Sequence, residues 1–226
     1  FGYTEGYLHV LRNIARPKNE LYRLLGKGTE AAAEQLGGLD YACTLGRTEM
    51  TGYHTGYGAV LGQAVGARHS HLDNAGYSLD QTKKHTDPAS FVKAMFEEEI
   101  NRCITNCLIM CLFARSVYDY PTIVEALSTV GIKKSEEELK ELAREIYRHK
   151  IMVKQKMGFD FRKLRFPKRF FETECLNGIL KEEVMQEMLD LYIREVEQLM
   201  AGWQGPWEKP APVQTAGEGP RPVPPS

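Results

Sequence analysis

The chain has 226 residues, 42% hydrophobic and 26% charged, enough for one large globular domain or two small ones with an apolar core. Its 29 basic and 30 acidic residues leave a net charge of -1, which gives no electrostatic footprint for nucleic acid or an anionic membrane surface. No apolar run nears the roughly 20 residues of a membrane-spanning helix; the longest, Cys107 to Ala114, is far shorter. The sequence opens at Phe1 without a charged, then apolar, leader pattern, and reads as a piece of a longer chain or a processed product. Cys43, Cys103, Cys107, Cys111 and Cys175 are odd in number and unevenly placed, a poor disulfide framework that points to a reducing, cytoplasmic setting.

Helical periodicity dominates from the start. Thr4 is placed to cap a helix with Leu8, Leu11 and Ile14 on one face, stopped by Pro17. A short helix with Leu21, Leu24 and Leu25 ends at Gly26, and another runs from Thr29 through the alanines to Leu36, closed by Gly37 and Gly38. From Gly37 to about Lys84 glycines recur among Tyr and His, which predicts a long loop of the kind that places functional groups, with room for a short helix between Gly58 and Gly66. Asp87 and Pro88 are a cap and first-turn pair opening a helix expected to reach Ala114, with Phe91, Met95, Ile100, Ile104, Leu108, Cys111 and Leu112 along one stripe. Pro121 opens a shorter helix stopped by Gly131, and Ser135 with Glu138 forms a capping-box pattern for a helix to about Met157. A basic, aromatic loop follows, then a last helix from Lys181 to Met200 with Val184, Met188, Leu191 and Leu199 on its buried side. The expected fold is all-α without an extended sheet, in two helical lobes (1–86, holding the Gly/His-rich loop, and 87–202, around the cysteine-bearing helix). A Pro-rich tail at 203–226 lacks apolar residues to bury and is expected to be disordered.

Several residues are candidates for chemistry. Cys103, Cys107 and Cys111 are four apart and would stack on one helix face, either as small core residues or as thiolates for zinc or another metal. His69 and His71 follow glycines that admit a close ligand; each is a proton carrier or metal ligand, or a loop histidine bonded to backbone or Asp73. Glu49 is either a buried acid or the partner of Arg47 or Arg68. The loop from Arg162 to Arg169 either clamps an anion or is a solvated basic face.

Taken in order, these segments resemble the latter part of the tungsten-containing aldehyde ferredoxin oxidoreductase family. The match is carried by Phe1–Ala15, Leu24-Leu25-Gly26, Arg47-Thr48-Glu49-Met50-Thr51-Gly52-Tyr53, Gly66-Ala67-Arg68-His69, Asn106 through Ala114, Phe166-Pro167-Lys168-Arg169 and Met188–Tyr192. The resemblance implies an enzyme that oxidises aldehydes, or a related low-potential substrate, with a tungsten or molybdenum bis-pterin and a [4Fe–4S] cluster passing electrons to ferredoxin. It implies that His69 lies by the metal and either moves the proton released on oxidation or orients the substrate oxygen, that Asn106 and Met110 contact pterin, and that Cys111 is the fourth cluster ligand. Asn106 stands where the family has an acid and Ile109 where it has a glycine, which marks a divergent member. The amino-terminal pterin-binding domain and the cluster's other three cysteines are missing, so the chain alone is expected to be cofactor-free and inactive, and a homo-oligomer is open. The alternative is a helical interaction module that kept the fold and lost the cofactors, its Pro-rich tail docking in a partner groove.

Overall fold

The structure is a computed structural model that describes residues 2–82, 87–114 and 116–205; the Pro-rich tail, apart from 203–205, lies outside the described residues. It is all-α, as the periodicity predicts. In chain order the helices are α1 (Thr4–Ala15), α2 (Glu20–Leu25), α3 (Thr29–Leu36), α4 (Tyr57–Val65), α5 (Gly76–Thr82), α6 (Pro88–Cys107), α7 (Tyr120–Thr129), α8 (Glu136–Lys156), α9 (Arg169–Glu172) and α10 (Glu182–Met200). The sheet among the described residues is one tight antiparallel hairpin, β1 (Thr44–Leu45) with β2 (Thr48–Glu49). No described helix is long and apolar enough to cross a membrane.

Helix ends follow the capping chemistry. Asp87 accepts from the Ser90 N–H at 2.9 Å, Asp119 from Thr122 at 3.0 Å, and Ser135 and Glu138 close a reciprocal box at 3.2 and 2.8 Å. Each such cap contributes about 1 kcal/mol to its helix. Gly37 takes the left-handed conformation (φ 76°) that ends α3.

The core is built by α6, α8 and α10, and α4, buried from Gly58 to Val65, packs against α5 and the edges of α6 and α10. Met95 and Phe96 of α6 meet Leu139, Ala143, Tyr147 and Ile151 of α8 and Met185, Leu189 and Tyr192 of α10. The i, i+4 spacing of Leu139, Ala143, Tyr147 and Ile151 puts them on one face of α8, each large side chain contributing about 1.5–3 kcal/mol by burial. In α10 the buried stripe runs through Met185, Met188, Leu189, Tyr192, Ile193 and Val196, rotated from the one expected through Val184 and Leu191. Tyr192 can sit at its centre because its hydroxyl finds a buried acceptor in Glu99 at 2.9 Å.

Two differences from the expected elements bear on the site. The Gly-rich stretch is not one loop: it contains α4, allowed by the pattern, and α5, which was not expected. Its glycines serve close packing, since a Cβ at Gly76 would lie 1.9 Å from the Gly58 carbonyl and one at Gly62 would lie 2.4 Å from Asn74. The cysteine helix stops at Cys107 rather than Ala114. Ile109 adopts φ 56°, its N–H donates to the Asn106 carbonyl at 3.1 Å, and the Met110 N–H reaches back to Thr105 at 2.9 Å. This is a Schellman turn with a β-branched residue at the position glycine prefers. Cys111 therefore lies beyond the helix, not stacked on Cys103 and Cys107.

Candidate functional site

His69 is placed by the segment between α4 and α5. Asp73, fully buried, accepts from the Arg68 and Ser70 N–H groups at 2.8 and 3.2 Å and pairs with the Arg68 guanidinium at 2.8 Å, folding the backbone into a tight turn. His69 sits in it at φ 53°. Glu99 ties this turn to the core. Its carboxyl, fully buried on α6, accepts from the Ala67 N–H at 2.9 Å, Asn74 at 3.1 Å and the Tyr192 hydroxyl at 2.9 Å, and Tyr192 is bonded in turn to Tyr147. Burial, then the neighbouring Asp73 charge, push the Glu99 carboxyl above its ordinary range.

The His69 ring leans on Phe159, centroids 5.2 Å apart, and its Nδ1 lies 3.2 Å from the Gln63 carbonyl. A carbonyl can only accept, so the proton is assigned to Nδ1 and Nε2 is left as the acceptor. Burial, then the nearby Lys154 ammonium, lower the His69 pKa and favour the neutral ring. The opposite wall is Gly46 of the hairpin turn (φ 59°), where an added Cβ would lie 2.0 Å from the imidazole. Glycine is needed here twice, for the left-handed turn and for the ring.

Lys154 is the second fixed group. It falls one turn after Ile151 on the buried face of α8, and its ammonium donates to the Val65 and Gly66 carbonyls at 3.2 and 2.6 Å, capping the end of α4. It also stands 3.8 Å from the Phe159 ring centroid. Burial lowers its pKa to about 8.

These groups border a cleft of about 1110 Å³ between α8, the hairpin and the segment from Gly158 to Arg165. Its walls carry Arg47, Arg68, Lys150, Lys154, Lys163 and Arg165 against only Glu30 and Asp160. A cleft so charged attracts anions.

Asn106, Met110 and Cys111 form a second locus at the end of α6, and none of them lines the cleft. Asn106 and Cys111 are exposed and Met110 is half-buried against the core. Cys103 faces inward at 2% exposure, burial pushing its thiol up to about 11. The described cysteines are all free thiols, and no group of three or more His, Cys, Asp or Glu side chains gathers around a common point among the described residues. A cubane cluster takes four thiolates. The exposed Cys111 in the turn after α6 could offer one thiolate to such a cluster, and no group of cysteines able to complete it gathers there among the described residues.

Comparison with protein families decides the lineage: a family model described as aldehyde ferredoxin oxidoreductase, domains 2 & 3, matches residues 1–204. The chain belongs to this family. No curated protein and no solved structure matches it in the corresponding searches. For an aldehyde ferredoxin oxidoreductase segment, several other candidates take structural roles. Glu49 is exposed and accepts from the Thr29 hydroxyl at 2.7 Å, pairing with neither Arg47 nor Arg68. His71 packs between Tyr53 and Tyr77, ring centroids 5.0 and 5.7 Å away. In the basic loop, Arg165 and Lys168 pair with Asp40, and Arg169 lies 4.2 Å over the Tyr41 ring. The sequence reading missed Glu99, Lys150, Lys154 and Thr44. The first and third had a signal: charged residues on otherwise apolar helix stripes, Glu99 after Met95 and Lys154 after Ile151.

Proposed function

We propose that this chain is the carboxy-terminal part of an aldehyde ferredoxin oxidoreductase-type enzyme that oxidises an aldehyde, or a related low-potential substrate, at the His69 cleft. The observation that supports this is the His69 ring itself, neutral, with Nδ1 committed to Gln63 and Nε2 available as a base beside a cleft of substrate size. Oxidation converts an aldehyde and a water into a carboxylic acid, two protons and two electrons. His69 Nε2 accepts a proton from the water or the hydrated aldehyde, and the adjacent cationic wall stabilises the carboxylate product. A tungsten or molybdenum bis-pterin with a [4Fe–4S] cluster would supply the electron chemistry, with ferredoxin as the outlet. Cys111 would provide one cluster thiolate, and Asn106 and Met110 would lie against pterin. The remaining ligands belong to an amino-terminal domain, and the free thiols suit a reducing, cytoplasmic setting.

Replacing His69 with Gln in the chain joined to its amino-terminal domain tests the reading. The expected result is a kcat lower by about 10²–10⁴ with metal content unchanged, and a wild-type kcat/KM that falls off only below the ordinary histidine value of 6.5. Unchanged kcat would remove His69 from the reaction. A second reading, an interaction module without cofactors, is favoured by one observation: Ile109 and Phe113 are 92% and 91% exposed at the locus expected to hold pterin. Absence of tungsten, molybdenum and iron from the joined protein purified anaerobically would select it.

A further inference from the structure

We infer that the His69 cleft takes an acidic small molecule, a substrate carrying a carboxylate or phosphate group, whose charged end is received by Lys150, Lys154 and Thr44. The inference deepens the proposed function and rests on the same cleft being the substrate site.

The cations of the cleft are not equivalent. Arg47 stands 3.6 Å from Glu30, Arg68 pairs with Asp73 at 2.8 Å, Lys163 lies 3.8 Å from Asp160 and Arg165 pairs with Asp40 at 3.1 Å. Lys150 and Lys154 are left without an ion pair among the described residues. They sit one turn apart on α8, where like charges repel. Lys154 gives two of its three N–H donors to the Val65 and Gly66 carbonyls, and its ammonium lies over the Phe159 ring, a contact that leaves its charge without an anionic partner. The contacts of Lys150 are weak ones, to the Cys103 thiol at 3.9 Å and over the Tyr147 ring at 5.9 Å from its centroid. On the hairpin side of the same cleft, Thr44 is 2% exposed and its hydroxyl has no hydrogen-bond partner among the described residues. A buried hydroxyl without a partner costs roughly 1–3 kcal/mol. All three line the same cleft, and an anion bound there would be offered both ammonium charges and this hydroxyl. Burial outweighs the charges of Glu99 and Asp73 at Lys154 and lowers its pKa to about 8, so a further counter-charge in the cleft would favour the ammonium.

The test is direct binding to the 226-residue chain, followed by heteronuclear NMR of the lysine side chains and the Thr44 amide, with inorganic phosphate, pyrophosphate, succinate and the uncharged 1,4-butanediol at constant ionic strength. The proposal expects saturable shifts at Lys150, Lys154 and Thr44 with phosphate and succinate, and none with butanediol. Lys150→Gln and Thr44→Val should each weaken binding by about tenfold while their melting temperatures show the fold intact. Lys140→Gln, on the same helix but outside the cleft and paired with Glu136, should bind as wild type. Non-saturable shifts spread over all surface cations, or equal affinity in Lys150→Gln, would overturn it. Binding of pyrophosphate alone would also overturn it, by assigning the cations to a cofactor's diphosphate rather than a substrate. Because no cofactor is required, failure here leaves the oxidoreductase reading standing, and loss of that reading leaves the measured anion site in place.

Discussion

Between α6, α8 and α10 the side chains Tyr147, Tyr192 and even the carboxyl of Glu99 are wholly enclosed, whereas α1 leaves Tyr3 and Tyr7 77% and 67% exposed. The turn after α6 likewise presents Ile109, Phe113 and Val117 to solvent. The contrast separates two demands on one sequence. The enclosed region holds the His69 turn in place through the carboxylates of Asp73 and Glu99, each bonded to several donors, as a preorganised site requires. The open region carries apolar residues that an isolated soluble domain has no reason to display, as expected of faces that pack against a further domain. A family model described as domains 2 & 3 implies a further, amino-terminal domain, and these faces are where its contact is to be tested.

The comparison can be broken at several points. Glu99→Ala should have the largest effect, because it strands the Ala67 N–H, Asn74 and the Tyr192 hydroxyl together. A loss of about 3–5 kcal/mol in urea melts is expected, by analogy with breaking buried ionic networks; a loss below 1 kcal/mol would mean that the network does not hold the site. On the open side, Ile109→Gly should stabilise the chain by about 1 kcal/mol, since it relieves a left-handed β-branched residue that makes almost no packing contact. Destabilisation would show that Ile109 is packed rather than open.

The pH dependence of stability probes the enclosed side again. Lys154 has a folded pKa of about 8 against 10.5 ordinarily, so above pH 8 the unfolded chain holds more protons. Stability should therefore rise with pH, by under about 1.4 kcal/mol per unit. The window closes near pH 9, where the Cys103 thiol, raised from 9.0 to about 11, begins to act in the opposite sense. Urea melts at pH 7.5, 8.5 and 9.0 should show the rise, and Lys154→Met should lack it; a slope that persists in the variant would belong to another group. The smallest effect is expected from Phe113→Ser, within about 0.5 kcal/mol in the isolated chain. Its consequence should appear instead as weaker co-purification with the amino-terminal domain, and a wild-type yield of the pair would remove this turn from the interface.

Much of this molecule was legible in order along the chain. The caps at Asp87 and Ser135, the stops at Gly26, Gly37 and Gly131, and the all-α class follow from local chemistry that acts within one turn of helix. His69 was singled out from its neighbours Gly66, Ala67 and Arg68. Less legible were α5 and the end of α6. A glycine marks either a loop or a close helix crossing, and only the approach of Gly76 to Gly58 decides for the crossing. The apolar run through Leu112 continues the helical period, but the chain turns at Ile109 against its own preference.

By itself, then, the sequence determined most of the helices, the caps at Asp87 and Ser135, and the family. Tertiary structure decided which groups surround His69: Gly46 from a hairpin, Gln63 from α4, Lys150 and Lys154 from α8, and Glu99 beneath them on α6. The physical reason is range. Capping and helical periodicity act over three or four residues, whereas the Lys154 ammonium and the carbonyls it binds are nearly ninety positions apart in the chain and meet only when α4 and α8 share one core.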